Sequence, residues 1–505
     1  MFLSNIPDRL SAGLNDKFQF MDKHMITKGQ VRNYSINSIG PIINFLVAII
    51  TLPIYIKYVG NERYGVISII WILLGYAGFL DLGLSRASEN ALAKATVYRS
   101  IERSSIIIST VAMNASLGIV GAFLIYVFAS VFFGYFVATT PAMNDEIRAS
   151  LPWVAAFFPL ALVNGIVTGS LDSREKFFSA NVISVFGAVI GQIVPAICAV
   201  YVTPKLDVVV PAAVIARAAG VVTGLLYVFF LERPIIRNSV KISTIKKLLS
   251  YGGWITVTSV VNPLLVSLDQ FVIGSVVGIG TVTYYAVSVT LVTRLQIFAT
   301  AMARTLFPRL SRAGSEEARE LAEKAMILLS FGFALPCCAA ILTIKHILNI
   351  WMGSDFSNSA TLISQILLLG GWINGAAQIP FGVLQAQGRP DITAKFHAAE
   401  LLPFAIVLWA LASNFGLTGA AIAWSIRVTA DACLMVWAAK FSRRSVMKLI
   451  IPAIFLISSF LLVRYFDPSI WVSAVVSVFM GILIACSALA CNSTLRKNIP
   501  KLQRF

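Results

Sequence analysis

Four arginines lie where an arginine is most costly. Arg217, Arg294, Arg304 and Arg427 fall inside long apolar stretches of this 505-residue chain. A charge at membrane depth persists where it meets a partner or a water-filled space. Arg217, Arg294 and Arg427 are near the middle of their stretches, and Arg304 is closer to one end. Guanidinium groups offer paired donors to phosphate oxygens, so these side chains are candidates for holding a compact anion. Carboxylates are scarcer. Asp269 is deep in its stretch with no basic neighbour in sequence, a setting that suits a proton or Na+ site because desolvation disfavours the bare anion. Asp431 lies one helical turn from Arg427 and can neutralise it. Asp81, like Asp172 and Glu400, falls near a helix end, where loop hydrogen bonds or a gating pair would use it.

Other chemistries lack their residues. Asp-x-Asp occurs nowhere, which argues against a metal-dependent glycosyltransferase, and no Gly-x-x-x-x-Gly-Lys-Ser/Thr loop is present to cradle ATP. The three histidines, His24, His346 and His397, are scattered, and the six cysteines show neither metal nor redox spacing. The sequence therefore predicts no cofactor beyond a coupling H+ or Na+, and a carrier rather than an enzyme.

The elements that must position these residues are apolar helices. The chain is 58% hydrophobic and 12% charged, with a mean hydropathy of +0.82. Runs of the length needed to cross roughly 30 Å of hydrocarbon recur along nearly all of it. They read as about 14 transmembrane helices in an all-α polytopic membrane protein. The 40 Lys and Arg residues sort by loop. Thirty fall in the two ends and every second loop, six in the alternate loops, and four inside apolar segments. Cationic loops stay on the cytoplasmic side, so both termini are expected in the cytoplasm. The same sorting accounts for the net charge of +17 without nucleic acid. Nothing resembles a cleavable signal peptide. Leu10, Leu14, Phe18, Met21 and Met25 share helical spacing, which suits a short helix on the inner leaflet as well as it suits a disordered tail.

Internal similarity divides the chain. Tyr58-Val59-Gly60, followed by Arg63-Tyr64-Gly65-Val66, pairs with Val276-Val277-Gly278 and Tyr284-Tyr285-Ala286-Val287. Asn164-Gly165 pairs with Asn374-Gly375. Six helices separate the copies, and an even number preserves orientation, so the halves form a parallel repeat. The expected organisation is a cytoplasmic leader over 1–33 and an N-lobe over 34–232. A cytoplasmic linker over 233–247 leads to a C-lobe over 248–440. Two extra helices over 441–490 and a cytoplasmic tail over 491–505 complete the chain. Within the lobes, the second span is expected at 65–84, the eighth at 282–308, the eleventh at 397–413 and the twelfth at 418–439. Pro41, Pro53, Pro195, Pro263 and Pro336 fall in spans, where each removes a backbone hydrogen bond and can kink its helix.

The run Arg32-Asn33-Tyr34, then Tyr55-Ile56-Lys57-Tyr58-Val59-Gly60, Arg63-Tyr64-Gly65 and Leu80-Asp81-Leu82-Gly83-Leu84, resembles the Wzx-type O-antigen flippases. These belong to the multidrug/oligosaccharidyl-lipid/polysaccharide exporter superfamily. Gly416-Leu417-Thr418-Gly419-Ala420 looks like the matching element of the second lobe. The resemblance covers roughly residues 30–440. It implies two six-helix lobes around a central cavity in the bacterial inner membrane. The implied cargo is an undecaprenyl-diphosphate-linked oligosaccharide repeat unit, flipped to the periplasmic leaflet by alternating access for O-antigen or exopolysaccharide synthesis. A polymerase and a chain-length regulator would be partners, with membrane lipids around. Many relatives have twelve helices, so the last pair departs from the pattern. The rivals within the superfamily are a multidrug exporter and a lipid-linked peptidoglycan-precursor exporter. An acid-free first span and mid-membrane charges that are mostly Arg favour an anionic cargo over a cationic drug.

Overall fold

The computed structural model describes residues 28–95, 100–232 and 265–491. The expected inner-leaflet helix, the linker and the Pro263 break lie outside these. Among the described residues the regular structure is helical throughout. In the first half the helices are α1 (Lys28–Tyr58), α2 (Asn61–Gly75), α3 (Ala77–Leu80), α4 (Leu84–Lys94), α5 (Ser100–Val131), α6 (Pro141–Asp172), α7 (Phe177–Tyr201) and α8 (Leu206–Glu232). In the second half, α9 (Leu265–Val276) is followed by α10 (Ile279–Leu295), α11 (Ile297–Arg312), α12 (Ser315–Met352), α13 (Ser354–Ala386) and α14 (Pro390–Ala438). The chain continues through α15 (Arg443–Met447), α16 (Ile450–Phe466) and α17 (Ile470–Cys491). Ten helices are long and apolar enough to cross a membrane, and α1 and α9 add shorter apolar stretches. The protein is a multi-pass membrane protein.

Two predicted spans are not straight helices. The second breaks at Tyr76 and ends in a turn over 81–83, where Leu82 and Gly83 have φ of 49° and 70°. The eighth breaks at Gln296, between α10 and α11. The helices before the two breaks also begin alike. Gly60 (φ 85°) precedes α2 and Gly278 (φ 128°) precedes α10, a backbone region open mainly to glycine. These are two of the glycines the sequence pairs. The eleventh and twelfth spans form one helical run, α14, interrupted at Gly416 (φ 58°, ψ −140°). The chain folds back there and brings the Phe396 and Trp437 rings together, tilted at 42° with centroids 6.4 Å apart.

Charged rivets hold the first half together at both ends. Arg63, at the start of α2, donates through Nε and Nη2 to the Glu146 carboxylate of α6, both at 2.7 Å. The Leu206 amide that opens α8 donates to the same group at 3.0 Å. At the opposite end Arg103 is 1% exposed. It donates to both Glu232 oxygens (3.1 and 2.7 Å) and to the Leu92 carbonyl. Arg174 adds two more donors to Glu232, at 2.6 and 2.9 Å. One carboxylate thus joins α5, the turn after α6 and the end of α8.

The two halves meet along α2 and α10. A Cβ on Gly65 would lie 2.0 Å from the Ile279 carbonyl oxygen, so only glycine permits this approach. Thr283 donates its hydroxyl to the Asn61 carbonyl at 2.7 Å, and Asn61 Nδ2 donates to the Tyr284 hydroxyl at 2.8 Å. Trp351, at the end of α12, donates to the Ile49 carbonyl of α1 at 2.7 Å. The last two helices pack on α12, where Lys345 pairs with Asp467 at 2.6 Å.

Candidate functional site

Depth can be measured along each helix from the end where α2 and α10 meet. At 1.5 Å per residue, Arg217 lies about 16 Å from its end of α8, Arg294 about 22 Å from that of α10, and Arg427 about 16 Å from Gly416. All three lie well inside their helices, Arg294 about four residues deeper than the other two. Arg304 is exposed and lies beyond the Gln296 break, in the middle of α11, away from the other three.

Arg217 lies flat against an aromatic ring. Its guanidinium carbon is 3.6 Å from the centre of the Trp71 ring of α2. Gly191 of α7 makes room behind it, since a Cβ there would be 2.5 Å from Arg217 Cγ. Tyr55 of α1 stands close by, its hydroxyl donating to the Gln192 carbonyl at 3.2 Å. A cation over an indole face gains on the order of 0.5–2 kcal/mol, and the ring leaves the donors of the guanidinium edge free. The Arg217 Nε is buried without a hydrogen-bond partner.

Arg294 is exposed, with its guanidinium 5.3 Å from the centre of the Phe45 ring of α1. A guanidinium at this depth is strongly disfavoured against lipid, and among the described residues it makes no hydrogen bond or ion pair. Arg217 and Arg294 therefore flank α1, one from each half of the chain. Arg427 occupies a different wall. It donates through Nη1 to the Leu265 carbonyl of α9 at 2.9 Å and lies 5.4 Å from the Phe404 ring centre. Among the described residues it forms no ion pair with Asp431, the neutralising partner one turn away. Asp431 instead approaches His397, 3.5 Å from its Nε2.

The other two carboxylates have structural partners. Asp269 is fully buried, accepting from the Tyr285 hydroxyl at 2.7 Å and the Gln270 amide at 2.8 Å. Asp81 caps α4, accepting from the Ser85 amide (3.1 Å) and hydroxyl (2.7 Å), and from Asn114 Nδ2 at 2.7 Å. Trp71 went unremarked in the sequence. No spacing rule links it to an arginine 146 positions later; only the packing of α2 on α8 does.

Comparison with known proteins places this geometry in a lineage. The family model described as polysaccharide biosynthesis protein matches residues 30–314. A Shigella flexneri protein assigned as an O-antigen transporter is 31% identical over 417 residues, covering 81% of this chain and 97% of its own.

The chain belongs to the polysaccharide biosynthesis protein family.

A Haloferax volcanii protein assigned as a low-salt glycan biosynthesis flippase is 24% identical over 40% of this chain and 43% of its own. Among solved structures, the lipid II flippase MurJ in an inward-closed conformation superposes with a TM-score of 0.70. It is 16% identical and the match covers 92% of this chain and 99% of MurJ. An inward-facing multidrug transporter of the MATE family superposes at 0.66, with 15% identity, 81% of this chain and 95% of its own. The fold is that of this superfamily. The relatives are transporters and flippases, not enzymes.

Proposed function

We propose that this member of the family is a flippase for undecaprenyl-diphosphate-linked oligosaccharide repeat units. It would move them from the cytoplasmic to the periplasmic leaflet of the bacterial inner membrane by alternating access. The observation that carries this reading is the pair Arg217 and Arg294. They lie about 16 and 22 Å along their helices, face α1 from opposite halves of the chain and, among the described residues, keep guanidinium donors free. A diphosphate presents oxygens that a guanidinium fork binds in pairs, whereas a cationic drug would be repelled. The two halves are read as six-helix lobes over 34–232 and 248–440 that rock about the α2–α10 contact. Both termini lie in the cytoplasm, and the helices of 441–490 are accessory. A polymerase and a chain-length regulator would take up the product, and coupling would use H+ or Na+.

Deleting the gene should abolish surface polysaccharide while complete lipid-linked repeat units accumulate on the cytoplasmic face. Incomplete units would mean that the protein builds sugar chains. Unchanged polysaccharide with heightened drug sensitivity would favour a multidrug exporter.

A further inference from the structure

Glu400 and Asp431 lie on the two arms of the α14 hairpin. Counting from the Gly416 turn, Glu400 is about 24 Å down one arm and Asp431 about 22 Å down the other, so the hairpin brings them level. Their carboxyl groups face each other closely enough to hydrogen bond if one is protonated. Glu400 is 9% exposed and Asp431 is 7% exposed. Neither Glu400 oxygen meets a donor, and Asp431 Oδ1 accepts no hydrogen bond.

The surrounding charges do not satisfy the pair. His397, one turn from Glu400 on the same arm, is 3.5 Å from Asp431 Oδ1 and is held by stacking on Phe381 of α13. Arg427, one turn from Asp431, spends a donor on the Leu265 carbonyl, and its Nε is buried without a hydrogen-bond partner. Beyond Arg427, toward Gly416, Asp269 is already satisfied by Tyr285 and the Gln270 amide. Two adjacent ionised carboxylates inside a membrane protein would repel one another and leave three buried oxygens without a hydrogen bond.

We propose that Glu400 and Asp431 form a shared-proton site, which couples proton occupancy to the arrangement of α9 and the α14 hairpin. One proton between the facing oxygens makes one carboxyl a donor to the other and removes one of the two charges. A metal cation fits less well, because Arg427 stands beside the pair and no group of three metal-ligating side chains is assembled among the described residues. When the proton leaves, the doubled negative charge draws Arg427 from the Leu265 carbonyl, and α9 loses that tie to α14. This inference deepens the proposed transport function and supplies its coupling ion.

The test begins with the full-length protein in lipid nanodiscs, read by infrared spectroscopy. The wild type should show the carbonyl stretch of a protonated carboxyl at neutral pH. Glu400→Gln and Asp431→Asn should each abolish the band, because the amide supplies the missing donor and leaves the remaining carboxylate ionised. Asp269→Asn should retain it. Absence of the band in the wild type, or its persistence in both Glu400→Gln and Asp431→Asn, overturns the proposal. In cells carrying equal amounts of each variant, polysaccharide export should fall about tenfold and lose its dependence on external pH. Export that stays pH-dependent in both variants also overturns it. If gene deletion leaves polysaccharide intact, the cargo reading fails while the infrared result still decides the proton site. If deletion abolishes polysaccharide and the band is missing, only the proton site falls.

Discussion

Trp71 beneath Arg217 explains how a membrane protein keeps a cation available. The ring stabilises the charge from one face, Gly191 leaves space behind, and the guanidinium edge stays open to an anion. Replacing Arg217 or Arg294 with Ala should cut polysaccharide export about tenfold or more with little change in membrane abundance. Lys should restore part of it, because a point charge lacks the paired donors. Trp71→Ala should weaken export less than Arg217→Ala, since water can replace part of the ring's contribution. Normal export from both alanine variants of Arg217 and Arg294 would make these arginines structural. Arg304, exposed in the middle of α11 beyond the Gln296 break, should tolerate Ala. Asp81→Ala should act through stability, because the carboxylate caps α4 and anchors Asn114. Its cost should be about 1 kcal/mol or somewhat more, read as a lower melting temperature of the purified protein.

At the scale of elements, each half must move as a unit if the protein alternates access, and Glu232 shows how the first half is held. Four guanidinium hydrogen bonds converge on one buried carboxylate. Removing one partner strands Arg103, which is 1% exposed. Glu232→Ala should therefore destabilise by about 3–5 kcal/mol, visible as reduced membrane yield and early thermal aggregation. Arg174→Ala should be milder, since Arg174 is partly exposed and Arg103 still neutralises Glu232. At the opposite end, Glu146 holds the Arg63 guanidinium above its ordinary value through paired hydrogen bonds. The helix breaks at Tyr76, Gln296 and Gly416 show that several spans are jointed. Gly416→Val should be poorly tolerated, because a β-branched residue is strained at φ 58°.

For the molecule as a whole, the α2–α10 contact joins the two halves, and the loop-charge bias of the sequence predicts that it lies at the periplasmic end. Reporter fusions after about residues 140, 278 and 355 should read periplasmic, and those after about 95, 240 and 316 cytoplasmic. A cytoplasmic reading at 278 would invert the membrane orientation assumed for transport. Thr283 hydrogen bonds to the Asn61 carbonyl, so cysteines at 61 and 283 should cross-link readily. The link should hold the periplasmic side closed, block export, and release it on reduction. Unimpaired export from the cross-linked protein would show that the two halves need not part there.

The sequence by itself determined class and marked the candidate charges. Hydrocarbon tolerates only long apolar helices with satisfied backbones, so composition alone gave a polytopic helical protein, and the cost of buried charge alone singled out Arg217, Arg294 and Arg427. The motif around Tyr58 to Leu84 was specific enough to indicate the family before any geometry. Partnership was not legible, because it depends on which helix faces mark each contact. Asp269 read as a proton or Na+ site with no neighbour in sequence, and the fold supplies Tyr285 as its hydrogen-bond donor. Asp431 read as the partner of Arg427, yet it turns to His397 and Glu400. Glu400 read as a helix-end residue, yet the fold-back at Gly416 buries it against another carboxylate. Helical periodicity places a residue along its own axis. Only the packing of one helix on another decides what each side chain touches.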